Sequence, residues 1–355
     1  MEDVLFDVKG HVGFITLNRP KALNALTHAM CVAIHQQLDA WKDDANVQAV
    51  VIEGVGEKAF CAGGDVVALH NSGKAYRDGD TSSIGWMEFF RDEYLMNVAI
   101  AEYPKPYIAL MDGITMGGGV GISAHGSHRI STERTMLAMP ETGIGLFPDV
   151  GGGWFLPRLP GEMGMYLALT GDRVKAPDCE TLGITNGYMP SDHLPAFLAA
   201  LIAAEALDHA RVSALVSQFA SNADEGKLDA LRGLIDHCFA ADSVESVFEA
   251  LEQDRGEWAL KTLANMNKKS PTSMKVTYRQ MRYGRAMGDI RDNMVMEYRI
   301  ARHTLQGHDF YEGVRALLLD KDMAPSWQPA SLADVTDAMV DAHFAPFGDT
   351  DLDFS

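Results

Sequence analysis

Twice in the first third of the chain an apolar strand pattern runs straight into glycines and then into a helical pattern, and few architectures accept that arrangement. Val47 to Glu53 leads into Gly54-Val-Gly and Phe60-Cys-Ala-Gly-Gly-Asp65, and Pro106 to Met111 leads into Gly113-Ile-Thr-Met-Gly-Gly-Gly119. Short apolar runs bounded by glycine read as buried strands, and strands alternating with helices build a helix-covered sheet that holds ligands near the strand ends. The expectation is an α/β fold. Where a strand stops at glycine and a helix starts, several backbone N–H groups lack partners and point one way, backed by the positive end of the helix dipole. Two such turns brought together can each donate one N–H to a single thioester or carbonyl oxygen. Glycine runs also serve close helix packing, so the chemistry has to come from their company.

That company includes two carboxylates, Glu141 and Asp149, in Met139-Pro-Glu-Thr-Gly-Ile-Gly-Leu-Phe-Pro-Asp-Val-Gly-Gly-Gly153. Each follows a proline, and the glycines around them let another molecule approach the main chain. A carboxylate beside a polarised carbonyl acts either as a nucleophile, forming a mixed anhydride, or as a general base on water. Glu141 suits either role. Asp149 is its natural partner, to hold a hydroxyl, position water or shift the first acid's proton affinity. Glu93, on the aromatic stretch Trp86-Met-Glu-Phe-Phe-Arg-Asp-Glu-Tyr-Leu, is a third candidate, although such an acid is more often plain surface.

Other chemistries lack support. Gly117-Gly-Gly-Val-Gly121 has neither the Lys-Ser/Thr ending of a phosphate-cradling loop nor dinucleotide-fingerprint spacing, and no Gly-x-Ser-x-Gly elbow occurs. His125 and His128 have no acid or cysteine at metal-ligand spacing, so no metal is expected. Cys31, Cys61, Cys179 and Cys238 are too scattered for a zinc cage or a disulfide framework, and Cys61 reads as packing. A formal charge of −19 argues against nucleic-acid or anionic-membrane partners. The densest basic patch, Lys268 and Lys269 with Lys275, Arg279, Arg282 and Arg285, reads as an exposed helix face. Acids at Glu2, Asp3 and Asp7, where a targeting segment would be basic, and the lack of a membrane-length apolar run give the expectation of a cytoplasmic protein with no membrane partner.

At 355 residues the chain suits one large domain or two ordinary ones. Residues 1–190 read as an α/β core and 191–355 as a mainly helical region, with an insertion at about 70–103 that has the makings of a lid or pocket wall. His11 to Leu17 reads as a strand. Ala22 to Trp41, Ala196 to Leu207, Val212 to Phe219, Lys227 to Phe239, Val244 to Leu263 and Ser273 to Leu305 read as helices.

Four ordered segments carry a resemblance. Asn18-Arg-Pro-Lys-Ala-Leu-Asn-Ala-Leu26, Lys58-Ala-Phe-Cys-Ala-Gly-Gly-Asp65, Asp112-Gly-Ile-Thr-Met-Gly-Gly-Gly-Val-Gly121 and Met139 to Arg158 resemble the successive signatures of the crotonase, or enoyl-CoA hydratase/isomerase, superfamily. Fainter likeness continues through Leu169-Thr-Gly-Asp-Arg and Asp309-Phe-Tyr-Glu-Gly-Val-Arg-Ala316. Pro140 to Arg158 and Arg91-Asp-Glu-Tyr94 are most similar to the 3-hydroxyisobutyryl-CoA hydrolase subfamily. The resemblance implies a crotonase-type spiral of β-β-α turns with a helical C-terminal region, binding an acyl-CoA. It places the oxyanion-hole amides on Gly64 and Gly118 and the substrate contacts on Glu93, Gly118, Glu141 and Asp149. Coenzyme A enters as part of the substrate, and no separate cofactor is implied. Related folds assemble as trimers, so a homo-oligomer is one expectation, and a helical C-terminus covering the same surface within one chain is the other.

One departure bears on the reaction. Hydratases of this superfamily carry a second catalytic glutamate where this chain has Gly121, and a small residue where it has Asp149. Hydration of an enoyl thioester asks two groups to share proton transfer with the bound water, and losing one costs ~10²-fold or more. The departure argues for a reaction other than hydration, and the subfamily resemblance implies hydrolysis of a short branched 3-hydroxyacyl-CoA, 3-hydroxyisobutyryl-CoA in valine breakdown. A hydratase or isomerase working with a lone base, and a non-catalytic acyl-CoA-binding protein, are the alternatives.

Overall fold

The computed structural model describes residues 2–354 and divides into two compact units, each assembled from separate stretches of chain. One unit comprises residues 1–64, 95–138 and 173–229, and the other 65–94, 139–172 and 230–355.

The first unit holds every strand among the described residues. β1 (Val4–Lys9) and β2 (Val12–Leu17) form an antiparallel hairpin, and β3 (Ala49–Gly54) pairs parallel with β2. β4 (Ala59–Cys61) leaves for a second, smaller sheet. β5 (Tyr107–Met111) then returns to β3, and β6 (Ile114–Met116) joins β4. β7 (His128–Ser131) and β8 (Met136–Ala138) repeat the step, and β9 (Val174–Lys175) and β10 (Gly187–Tyr188) close the two edges. The orders are β1-β2-β3-β5-β7-β10 and β4-β6-β8-β9, so successive strand pairs step along two sheets in a spiral of β-β-α turns. Both faces of the larger sheet are covered. Val12, Phe14, Val51, Ile108 and Ile130 pack with Phe197, Leu201, Val212 and Leu215 from helices Leu194–Ala203 and His209–Phe219. Gly13 points the other way, where an added Cβ would lie 2.8 Å from the Trp41 ring. This two-sided burial is why the strands read as near-continuous apolar runs rather than alternating ones.

Ala22 to Trp41 is not one helix. Residues 20–22 form a 3₁₀ turn, Leu23 and Asn24 take left-handed φ values of 51° and 57°, and the helix His28–Asp43 begins only after Thr27 caps Met30 N–H. Asn24 decides this. Its buried side-chain amide donates to Ala59 O at 2.9 Å and Val55 O at 3.1 Å, and its Oδ1 accepts from Arg19 N–H. Those tertiary bonds outweigh the helical periodicity, because a buried amide without partners is costly.

The second unit is helical. Helix Val66–Arg77 and the first turns of Gly85–Ala101 belong to it, with Trp86, Phe89, Phe90 and Tyr94 buried. Two expected long helices are each broken. Val244–Asp254 stops at Arg255 (φ 57°) before Gly256 starts Glu257–Met266, and Pro271–Ala286 stops before Asp289 caps Ile290–Thr304 through Arg291 N–H. Gly256 and the Gly288-Asp289 pair are the local stop and start signals. No helix of the described residues is long and apolar enough to cross a membrane.

Candidate active site

In the first unit the candidate groups are backbone ones. Gly118 is the first residue of helix Gly118–Ala124, where an N–H has no acceptor inside its own helix. Gly117 before it holds φ 47°, ψ −121°, a conformation that disfavours a side chain. Gly64 bridges in parallel to Leu26, whose N–H donates to Gly63 O at 2.8 Å. The two glycine turns are neighbours: a Cβ built on Gly63 would lie 3.9 Å from Gly118 N, and one on Gly119 would lie 2.1 Å from Cys61 O. The glycines therefore allow two backbones to approach closely, and Cys61 is the packing residue beneath them. His128 is a core histidine, held by Ser127 Oγ and Ser213 Oγ at 3.0 Å and stacked on His209.

In the second unit the candidate groups are acids. Glu93 is 2% exposed, Glu141 and Asp149 5% and Glu297 0%, so four carboxyl groups sit out of solvent. Glu141 opens the 3₁₀ turn Glu141–Ile144, set by Pro140 before it and by Gly145 (φ 70°) after it. The turn is buttressed by helix Asp309–Val314: a Cβ on Gly145 would meet the Asp309 carbonyl at 2.3 Å, and one on Gly313 would meet Ile144 C at 2.4 Å. The faint similarity near Asp309 thus marks a close backbone contact. Asp149 Oδ2 accepts from the buried Tyr94 hydroxyl at 3.0 Å. Immediately after it, Val150 takes φ 51° and Gly151 φ 87°. A β-branched residue in the left-handed region costs about 1–3 kcal/mol, which the surroundings must hold in place.

Burial dominates the electrostatics. It pushes the Glu141 carboxyl well above the usual carboxylate range, the Asp149 charge adds to this, and Lys269 opposes it. Burial pushes Asp149 up to about 7, against the Tyr94 hydrogen bond, and raises Glu93 well above its ordinary value with the Asp149 charge behind it. Glu297 is raised to about 8 by burial, opposed by its donors at Gly151, Asn293 and Gly153. Carboxyls pushed up to about 7 and about 8, as Asp149 and Glu297 are, suit general acid–base work near neutrality. Lys269, half-buried, is itself lowered by burial, with Glu141 favouring its charge. Four others of the basic patch form ion pairs: Lys275 with Glu245, Arg279 with Asp337 and Asp341, and Arg282 and Arg285 with Glu162.

Sequence reasoning missed Glu297, Gln280 and Asn293. A signal existed: Ile290, Asn293, Met294, Glu297 and Ala301 share the buried stripe of one helix, and an acid on such a stripe needs a partner.

The family model for enoyl-CoA hydratase/isomerase matches residues 12–344. The chain belongs to that family. Among relatives, the 3-hydroxyisobutyryl-CoA hydrolase of Gallus gallus, mitochondrial by name, is 48% identical over 355 residues, covering 99% of this chain and 90% of the relative. Two solved family structures also superpose well. A carnitinyl-CoA dehydratase from Mycobacterium thermoresistibile has TM-score 0.92 at 41% identity, covering 100% of this chain and 99% of that one. An enoyl-CoA hydratase from Rhodobacter sphaeroides 2.4.1 has TM-score 0.90 at 38% identity, covering 99% and 100%. The mitochondrial relatives overturn the cytoplasmic placement drawn from the acidic first residues. Those residues take part in the fold, with Glu2 O accepting from Asn18 and β1 starting at Val4, so their acidity is no guide to compartment.

Proposed function

We propose that the chain is a thioester hydrolase that converts 3-hydroxyisobutyryl-CoA and water to 3-hydroxyisobutyrate and CoA. The observation that carries this reading is the pair of buried acids, Glu141 and Asp149, in a family member that has Gly121 where hydration would call on a second glutamate. The 48% identical Gallus gallus hydrolase supports it.

In this reaction the Gly64 and Gly118 N–H groups receive the thioester oxygen, stabilising the charge that appears when the carbonyl carbon is attacked. Glu141 either attacks that carbon or takes a proton from water that does so. In the first route the C–S bond breaks to leave an anhydride, which water then opens; in the second, water's oxygen joins the carbon and the C–S bond breaks directly. Both routes release CoA as the thiol once its sulfur regains a proton. Asp149 and Glu93 orient the water and the 3-hydroxyl. Lys21 and Lys58, on an open groove of the first unit, offer ammonium groups suited to the carrier's phosphates. Nothing in the step calls for a metal or redox cofactor, so chelator treatment leaves the rate unchanged under this reading.

Thiol release from 3-hydroxyisobutyryl-CoA by the purified protein is the test, and its absence across short 3-hydroxyacyl thioesters sinks the reading. Labelled oxygen from water found in Glu141 after one turnover marks the anhydride route. A second reading, hydration or dehydration of an enoyl thioester, is favoured by the names of the two solved neighbours. Loss of enoyl absorbance without free thiol distinguishes it. Light scattering on the same sample decides between a single chain and a homo-oligomer.

A further inference from the structure

Asp149 is held from both sides by residues far along the chain. Ahead of it, Gln280 Nε2 donates to Pro148 O at 2.7 Å. Behind it, the Gly151 N–H donates to Glu297 Oε2 at 2.7 Å and the Gly153 N–H to Glu297 Oε1 at 2.8 Å. Glu297 is fully buried, and its Oε1 also accepts from Asn293 Nδ2 at 2.8 Å and from Gln280 Nε2 at 3.1 Å. Every one of these donors is uncharged, and four N–H groups converge on two oxygens, an arrangement that asks for a carboxylate.

The clamp spans the strained part of the turn. Val150, with φ 51°, lies between Asp149 and the first clamped amide, and Gly152 N–H closes back on Asp149 O at 2.7 Å. Contact at Gly153 is tight: an added Cβ would meet Asn293 Oδ1 at 2.5 Å, Gln280 Nε2 at 2.9 Å and Glu297 Oε1 at 3.0 Å. A glutamine at 297 offers one oxygen for two amides and turns its NH₂ group against the other N–H; an aspartate is one methylene short.

We propose that Glu297 is a positioning residue for the hydrolysis: through the Gly151 and Gly153 amides it holds the Val150 turn, and so fixes the Asp149 carboxyl against the Tyr94 hydroxyl. The inference rests on the part given to Asp149 in the hydrolase reading. The titratable groups that face this cluster are Glu93 and Tyr94 from helix Gly85–Ala101, Glu141 and Asp149 from the loop, and Glu297 itself. The Tyr94 hydrogen bond favours the Asp149 carboxylate against burial, so a turn released from Glu297 loses that bond and Asp149 keeps its proton to higher pH.

The experiment compares wild type with Glu297→Gln in the full chain. Thiol release should fall in kcat by about 10²-fold with KM little changed, as expected when a catalytic group is misplaced by about an ångström. The acid limb of the kcat/KM profile should move up by on the order of one pH unit, as the Tyr94 hydrogen bond to Asp149 is lost. The Asp149 carboxyl resonance of carbon-13 aspartate-labelled protein, assigned by its loss in Asp149→Asn, should titrate higher by the same shift. If Glu297→Gln fails to fold, Asn293→Ala, which strips one donor from the clamp, decides the matter through the same shift at smaller amplitude. A folded variant with wild-type kcat overturns the proposal, and so does lost activity with the Asp149 titration unmoved, the mark of a merely structural group. Should wild type release no thiol at all, the hydrolase reading fails by itself, while the resonance still reports whether Glu297 sets the state of Asp149.

Discussion

The two units present their candidate groups in opposite ways. The first offers main-chain amides at Gly64 and Gly118, placed by strands and by glycines whose missing side chains let Cys61 O and the Gly117–Gly119 turn nearly touch. The second offers side-chain carboxyls whose behaviour is set by burial and mutual repulsion, on a turn strained at Val150 and clamped by Glu297. Under the hydrolase reading, the first set works through space and the second through charge. Substitutions should therefore fail differently: by clash in one unit, by ionisation in the other.

The largest effect is expected on the charge side. Glu141→Gln keeps the volume but removes the nucleophile or base, and thiol release should fall by roughly 10³-fold or more with the fold intact by circular dichroism. Activity within tenfold of wild type removes Glu141 from the chemistry. On the space side, Gly119→Ala places a methyl 2.1 Å from a backbone oxygen that has no flexible end to swing away. The turn must shift, and kcat should drop by about 10²–10³-fold, the loss known for one oxyanion donor. An unchanged kcat in folded Gly119→Ala breaks the comparison, because space would then not be what the glycines provide.

Asp149→Asn is expected to cost on the order of 10²-fold and to abolish an acid limb near pH 7, the pH to which burial pushes this carboxyl. With Asp149 ionised for work, wild-type activity rises with pH through about 7. A limb that survives in Asp149→Asn belongs to another group.

The smallest effect is on stability. Asp149 and Glu297 hold protons more tightly folded than unfolded, since their folded values are raised from 3.8 to about 7 and from 4.5 to about 8. The folded state then binds more protons than the unfolded one across that window, so their contribution is complete below pH 4 and is lost as pH rises through 7 to 8. Thermal melts of Asp149→Asn should show a shallower fall in Tm between pH 5 and 8 than wild type. Parallel curves contradict the raised value.

Much of the first unit was legible because its signals are local. Val47 to Glu53 and Pro106 to Met111 are buried on both faces and read as apolar runs, and Gly64 and Gly118 sit where those runs turn. Helix breaks were less legible. The stop between Ala286 and Ile290 is written in Gly288 and Asp289, but the delay of the first helix to His28 comes from Asn24 bonding residues 31 and 35 positions away. The acids fell in between: their prolines and glycines marked the turn, while nothing near them names Tyr94 as a partner.

By itself the sequence determined which backbones bend, since glycine and proline act on their own φ and ψ, and it placed Glu141 and Asp149 on such a bend. It also displayed Gly121 in place of an acid, which separates this chain from a two-glutamate hydratase. Only the tertiary structure decided which acids share a low-dielectric interior, that Lys269 acts on Glu141, and that Glu297, 146 residues beyond Gly151, holds the Asp149 turn. Proton affinity and hydrogen-bond reach depend on what surrounds a group in space, and neighbours brought together by burying apolar surface leave no trace in the residues beside it.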